Sequence, residues 1–317
     1  MAEPWPDGQI APRRGLIVRP EEIAFALFAT ALVVIVAATG TWPPTFKPPL
    51  WHLGWRFHLY FVGCVGILGF VVARNAVPGA APKRQRRLTA MVRDFAPFYA
   101  VLVLYEALAQ LTPVLCPEVR DASLVRIDRA VLGVDAAVWI GRFGSPLLSW
   151  VMAVCYGAYF IIPGALAAFL YAAGSEARAL FRDYIVAGSL TAVLGFVGYL
   201  LVPAVGPYVF QADLFPTRLP GGAYAPIFIK AVDDFRGVAR DCFPSLHAAH
   251  MTVALVFAYR FRRALFLAML PVGLGLYLST IYLRMHYVID VAAGVALASL
   301  AAFAAPRLNR LLGTTGR

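Results

Sequence analysis

The sequence predicts an all-α fold, a polytopic transmembrane helical bundle of about eight spans, and three observations predict it. Of 317 residues, 61% are hydrophobic and 14% charged, against about 45–50% and about 25% in an ordinary soluble domain. The apolar residues fall in runs of 16 to 25 with almost no charge, long enough to cross a hydrocarbon core of about 30 Å. Those runs are continuous rather than alternating, so they read as helices and not as the strands of a barrel. With a mean hydropathy of +0.72, a soluble enzyme, a disulfide scaffold and a disordered chain are excluded.

Residues 1–20 hold Arg13, Arg14, Arg19 and several prolines, and the long apolar run that follows has no small-residue cleavage site. They read as a cytoplasmic tail and not as a removable leader. The expected spans are 22–40, 57–73, 95–115, 147–171, 185–202, 245–260, 264–282 and 288–304. The sixth is short enough to begin in a pocket. His52 and His58 flank the second span beside Trp51 and Trp55, an interfacial belt. Three regions are expected: 1–92 with the tail, two spans and a basic loop; 93–304, a six-helix catalytic domain; and 305–317, a cytoplasmic tail.

Orientation follows from Lys and Arg. With the N-terminus inside, 17 of the 28 basic residues lie on inner segments, including the KRQRR cluster at 83–87 and the RFRR turn at 260–263. Both termini are then cytoplasmic and the long loops lie outside. The outer loop 116–146 holds an amphipathic stretch suited to the membrane interface. The outer loop 203–244, rich in Pro and Gly, runs straight into the sixth span. In a soluble protein the net charge of +11 would suggest nucleic acid; here it lies in the links between spans, so no nucleic-acid partner is expected. Cys64 and Cys155 fall inside apolar runs as small hydrophobes, whereas Cys116 and Cys242 fall in outer loops where a disulfide is allowed.

Two of the five histidines stand at outer helix ends. Cys242-Phe243-Pro244-Ser245-Leu246-His247 opens the sixth span and Arg284-Met285-His286-Tyr287-Val288-Ile289-Asp290 opens the eighth. One in-and-back pair of spans separates them, so both lie on one face. His286 and Asp290 are at i and i+4, close enough for the carboxylate to hold one imidazole nitrogen and leave the other with its lone pair. The plainer reading is a helix cap beside an interfacial histidine. Pro244 and Ser245 suit a helix N-terminus, where free N–H groups favour a phosphate, and His247 one turn in can donate a proton to a leaving oxygen. His250 lies one turn below His247, but no third strong ligand or HExxH accompanies it, so no metal is expected. Glu106 sits mid-span, where a carboxylate is costly; it serves either function or a structural hydrogen bond.

FPSLH, followed some forty residues later by STIYLRMHYVIDVAAG, resembles the second and third signature motifs of the type-2 phosphatidic acid phosphatase superfamily. The likeness is to its inositol-phosphorylceramide synthase-like branch. Weaker echoes lie upstream in Arg93-Asp94, Pro97, Tyr105-Glu106, Asp128, Leu132-Gly133, Tyr156, Tyr159 and Pro163, so the likeness spans roughly 93–295. It implies that His286 attacks phosphorus, that Asp290 orients it, and that His247 protonates the departing oxygen, without metal or cofactor. Two departures accompany it. No Lys-x6-Arg-Pro motif is present, and Thr280 stands where the phosphatases carry an arginine six residues before the nucleophile; the synthase-like branch also lacks that arginine. The phosphate's partners are then sought in Ser245, Arg240 and Arg284, and after them Arg236 or Lys230. The resulting expectation is a membrane enzyme moving a phosphoryl-containing head group, inositol phosphate included, between lipids at the outer face. Its partners are a membrane lipid and an acceptor that is a lipid, a polyol or water. The alternatives are a lipid phosphate phosphatase and, from another class, a transporter or scramblase without covalent chemistry.

Overall fold

The computed structural model describes residues 18–40, 83–215, 219–220 and 240–312. The expected span 57–73, with Cys64, His52 and His58, and the loop cations Lys230 and Arg236 lie outside these residues. The helices are α1 (Pro20–Thr39), α2 (Lys83–Leu115), α3 (Asp121–Leu132), α4 (Ala136–Gly141), α5 (Pro146–Gly157), α6 (Ile162–Ala172), α7 (Arg178–Leu201), α8 (Pro207–Phe210), α9 (Leu246–Phe261), α10 (Arg263–Tyr282) and α11 (Val288–Leu311). Among the described residues there is no strand.

Among the described residues, five helices are long and apolar enough to cross a membrane: α1, the Leu88–Leu115 part of α2, α7, α10 and α11. Pro146–Phe160 and Ile162–Ala172, bent by 46° at the break between them, pass the same test only as a pair and make a sixth span where the two are taken as one. Pro163 sits at the bend and has no N–H to continue the ladder. The helix α9, which covers the expected sixth span, has only 16 residues and is not among these. The chain is an integral membrane protein. α2 is one continuous helix through the boundary expected at 92/93, so the basic cluster and the third span share a rod.

α7 forms the centre of the bundle, surrounded by α1, α2, α6, α9 and α11. It buries Phe181, Ile185, Phe196 and Tyr199, while Leu194 and Leu201 on its other side are exposed, as lipid-facing residues must be. Lipid is as apolar as leucine, so such helices are held by close packing rather than by hiding apolar surface from water. α11 meets this demand with a stripe of small buried residues: Gly294, Ala298, Ala301, Ala302 and Ala305. At Gly294 a Cβ would come 2.3 Å from the carbonyl oxygen of Ser245. Only glycine allows α11 to cross the start of α9 this closely.

The ends of the bundle are fixed by two contacts. Asn309, near the end of α11, donates to Asp183 at the start of α7 at 2.7 Å. Gly198, near the end of α7, lies against Pro244 just before α9. The starts of α9 and α11 therefore sit together at one end, here the histidine end. The starts of α1 and α7 lie at the opposite, arginine end with Arg93 of α2, joined by the pairs Arg93–Glu22 and Arg182–Glu21.

Candidate active site

The short turn between α10 and α11 carries His286, and the backbone around it is heavily tied. The N–H groups of Met285 and His286 both donate to the carbonyl of Thr280, at 2.9 and 3.0 Å. Arg284 adopts φ 64° to make the turn, and its carbonyl accepts from Tyr208 N at 2.7 Å. α11 then begins with two carboxylates at its open N–H groups. Asp290 accepts from Tyr287 N at 2.8 Å, so it does cap its own helix. Asp128, reaching across from α3, accepts from Val288 N at 2.7 Å and Ile289 N at 2.9 Å. The positive end of α11 is thus satisfied by a protein carboxylate in the place a phosphate would otherwise favour.

Asp121, one heptad before Asp128, plays the same part for the neighbouring loop. It accepts from Val205 N at 3.0 Å, Gly206 N at 2.8 Å and Tyr287 Oη at 2.9 Å. Burial and the adjacent Asp121 carboxylate push the Tyr287 hydroxyl well above its ordinary pKa, which keeps it a donor at any working pH. Both aspartates are buried, and neither was read from the sequence as a site residue. Their signal was available in outline: two acids at i and i+7 on one face of an amphipathic helix. α3 is thereby a buttress of the site as well as an amphipathic surface helix.

His286 is 3% exposed. Its Nδ1 lies 2.9 Å from the carbonyl oxygen of Cys242 and 3.6 Å from Oδ2 of Asp290. A carbonyl can only accept, so Nδ1 carries the proton and the lone pair of the neutral ring is on Nε2. The group that fixes the tautomer is a main-chain oxygen; Asp290, expected in that role, lies just beyond hydrogen-bond reach. Nε2 stands 3.3 Å from Nδ1 of His247. With the His286 tautomer assigned, His247 must be the donor in that contact. Two imidazoles, one from α9 and one from the turn between α10 and α11, therefore share one proton.

His247 is flanked by Tyr156 and Tyr159, with ring centroids 4.6 and 4.3 Å away. They narrow the positions open to its ring. Ser245 is buried and caps α9, its hydroxyl accepting from Ala248 N at 3.3 Å, which leaves its own proton to give. The two arginines expected beside a phosphate are engaged. An Nη of Arg240 donates to the Cys116 carbonyl. The Arg284 guanidinium carbon lies 3.9 Å over the Phe215 ring, and burial holds its pKa below the usual value. Cys116 and Cys242 are not joined to each other, so the disulfide allowed by their loops is not formed.

Cys242 Sγ, His286 Nδ1 and Asp290 Oδ2 lie within 4.8 Å of one another, a donor set a soft divalent ion can use. Each is already matched to a protein partner: the thiol donates to Asp290 at 2.8 Å and Nδ1 to the Cys242 carbonyl. An ion there would have to displace both bonds. Next to the histidines, a largely apolar cavity of about 220 Å³ lies between α2, α6 and α7, lined by Pro97, Phe98, Tyr159, Tyr184 and His250 among others. His250 is held by Gly188 O at 3.3 Å and stands 3.4 Å from Tyr159 Oη.

The family model described as PAP2 superfamily matches residues 122–304, more than half of the chain, including Asp128, Cys242, His247, His286 and Asp290. The chain belongs to the PAP2 superfamily. Its likeness within that family is to the inositol-phosphorylceramide synthase-like branch. A phosphoinositol dihydroceramide synthase from Bacteroides thetaiotaomicron is 36% identical over 121 residues, which are 34% of this chain and 40% of that protein. The chain thus spans well under half of that relative's length. No solved structure matches. As a member of this family, the chain is an enzyme of the lipid phosphatase and phosphotransferase class.

Proposed function

We propose that the chain is a membrane-embedded lipid phosphotransferase. It would form a phosphohistidine on His286 and pass a phosphoryl-linked head group between lipids at the outer membrane face. The observation that carries this is the 3.3 Å pair of His286 Nε2 and His247 Nδ1, with Nδ1 of His286 tied to a carbonyl. A lone pair and a proton are thereby aimed at one point, which is what displacement at phosphorus needs.

The steps balance as follows. The neutral His286 ring attacks phosphorus through Nε2, and the P–O bond to the first lipid breaks. His247, entering as an imidazolium, gives its Nδ1 proton to that departing oxygen. The positive charge on the phosphorylated ring is offset by the Asp290 carboxylate nearby. An acceptor hydroxyl then attacks the same phosphorus, its proton goes to His247, and the P–N bond breaks. Ser245 and Arg284, each two residues from one of the histidines, can donate to the phosphate oxygens; Arg240 would join them by releasing Cys116. The apolar cavity beside Tyr159 suits a hydrocarbon tail. The relative's name is that of a synthase of phosphoinositol dihydroceramide; on that pattern a dihydroceramide is the acceptor here, and phosphatidylinositol is our choice of donor. The orientation with both termini cytoplasmic rests on the Lys and Arg count.

The test is a label-transfer experiment. With phosphatidylinositol labelled at phosphorus, purified protein should retain label through a neutral quench, on the peptide holding His286, and His286→Ala should retain none. With a fluorescent dihydroceramide added, the label should move to that lipid. Release of water-soluble phosphate with no acceptor present would make the enzyme a phosphatase. An unlabelled protein with full lipid movement across vesicles would return the scramblase reading.

A further inference from the structure

The residue just before the FPSLH string is not an idle loop cysteine. Cys242 is fully buried, and its backbone is pinned by its N–H to the carbonyl of Ala204 at 3.1 Å. From that fixed point it touches both halves of the histidine–carboxylate pair. Its carbonyl accepts the Nδ1 proton of His286 at 2.9 Å, and its thiol donates to Oδ2 of Asp290 at 2.8 Å. The same sulfur lies 3.6 Å from Nδ1. Oδ2 therefore holds two donors, the thiol and Tyr287 N, and is spent on them rather than on the imidazole.

We propose that Cys242 is a positioning residue that sets the basicity of His286 by holding the Asp290 carboxylate away from it. A carboxylate drawn into direct contact with an imidazole raises the pKa of that ring, and a protonated Nε2 is no nucleophile. With the thiol in place Oδ2 is held off the ring, and a negative charge is still within reach once the ring is phosphorylated. The other titratable groups around the ring are His247 on α9, Tyr287, and Asp128 and Asp135 from α3 and the turn after it, which line the same small cleft as His286; Tyr287 in turn contacts Asp121. None of these contacts involves the thiol; the sulfur also reaches the Met285 carbonyl at 3.4 Å and Nδ1 at 3.6 Å, and its contact to Asp290 at 2.8 Å is the shortest of the three.

The inference rests on His286 being the nucleophile, and its test reads the ring apart from turnover. The rate at which diethyl pyrocarbonate modifies the His286 peptide is followed by mass spectrometry against pH in detergent-purified parent, Cys242→Ala, Cys242→Val and Cys242→Ser. The two donor-free variants should move the midpoint upward by about 0.5–1 pH unit. Serine, which restores a donor, should return it to the parent value. Turnover of phosphatidylinositol with fluorescent dihydroceramide should fall about tenfold in kcat for Ala and Val, with KM within about twofold, and Ser should recover most of it. Two donor-free variants keep the test alive should one of them not fold. A parent midpoint in Ala and Val, or a Ser variant as shifted as Ala, overturns the proposal. If His286→Asn turns over normally, the nucleophile assignment fails instead, and the reagent's midpoint still decides the role of the thiol.

Discussion

The two ends of the bundle solve the problem of polar groups in a membrane protein in opposite ways. At the arginine end, charge meets charge. Arg93 binds Glu22 in a two-pronged pair at 2.6 and 2.7 Å, and Arg182 reaches Glu21 at 2.6 Å. The fully buried Asp94 lies 2.5 Å from Arg178 and 3.0 Å from Arg19. At the histidine end, carboxylates meet backbone: Asp121, Asp128 and Asp290 together accept from five main-chain N–H groups. Ion pairs between side chains fix which helices are neighbours. Carboxylates on N–H groups fix the path of a loop to a fraction of an ångström, and they spend no ring nitrogen doing so. The end that must keep reactive lone pairs uses the second device.

The contrast is sharpest for Arg182, 5% exposed in its side chain and shared by Glu21 and Asp94. Removing one partner of a buried pair leaves uncompensated charge and costs about 3–5 kcal/mol. Arg182→Leu should therefore lower the melting temperature in detergent by roughly 6–15 °C, while turnover per folded molecule stays near that of the parent. A large fall in kcat of the folded fraction would show that the two ends are not independent.

Asp128→Asn tests the other device. The amide keeps the size and one acceptor but loses the charge that faces Val288 N and Ile289 N. Stability should drop by about 1–2 kcal/mol, the range of a lost helix cap. The larger readout is kinetic, since those two residues directly follow the turn that holds His286. A loss of about 10- to 100-fold in kcat is expected, with KM little changed. If kcat falls no further than in Arg182→Leu, the carboxylates at this end are structural only.

What could be read from the sequence follows the same division. The histidine pair was legible because its parts are local: FPSLH and RMHYVID each announce a helix start, and counting spans put both starts on one face. The bundle was legible from its apolar runs. The buttress was not, because Asp121 and Asp128 act on atoms more than 80 residues away, and a helix bearing them looks like any amphipathic surface helix. Arg178 and Arg182 were counted only as inner-loop charges, and Glu21 had no expected role, since their pairs join α7 to α2 across 84 residues and to α1 across 161. The first span, left without a purpose by the sequence, is held to the core by these pairs and by Phe28, packed 5.8 Å from Phe196. The substitution of the Cys242 carbonyl for Asp290 as the nearer partner of Nδ1 was also out of reach, because main-chain oxygens leave no mark in a sequence.

The smallest expected effect belongs to the turn between α3 and α4, where exposed charges do pair at the histidine end. Asp135 accepts from Arg129 at 2.8 and 2.9 Å and from Gln211 at 3.0 Å. The Arg129 guanidinium holds its carboxyl below the ordinary value of 3.8. A carboxylate with a depressed folded pKa stabilises the fold above its unfolded pKa, and that contribution fades as pH falls through the folded value. Solvent screens a pair this exposed, so Asp135→Asn should lower the melting temperature at pH 7 by only about 1–2 °C. Below pH 3.8 the two melting curves should draw together as the parent's own carboxylate takes up a proton. A difference that persisted undiminished in acid would mean that Gln211, whose contact needs no charge, is the partner that matters, and that even this surface pair follows the rule of its own end of the molecule.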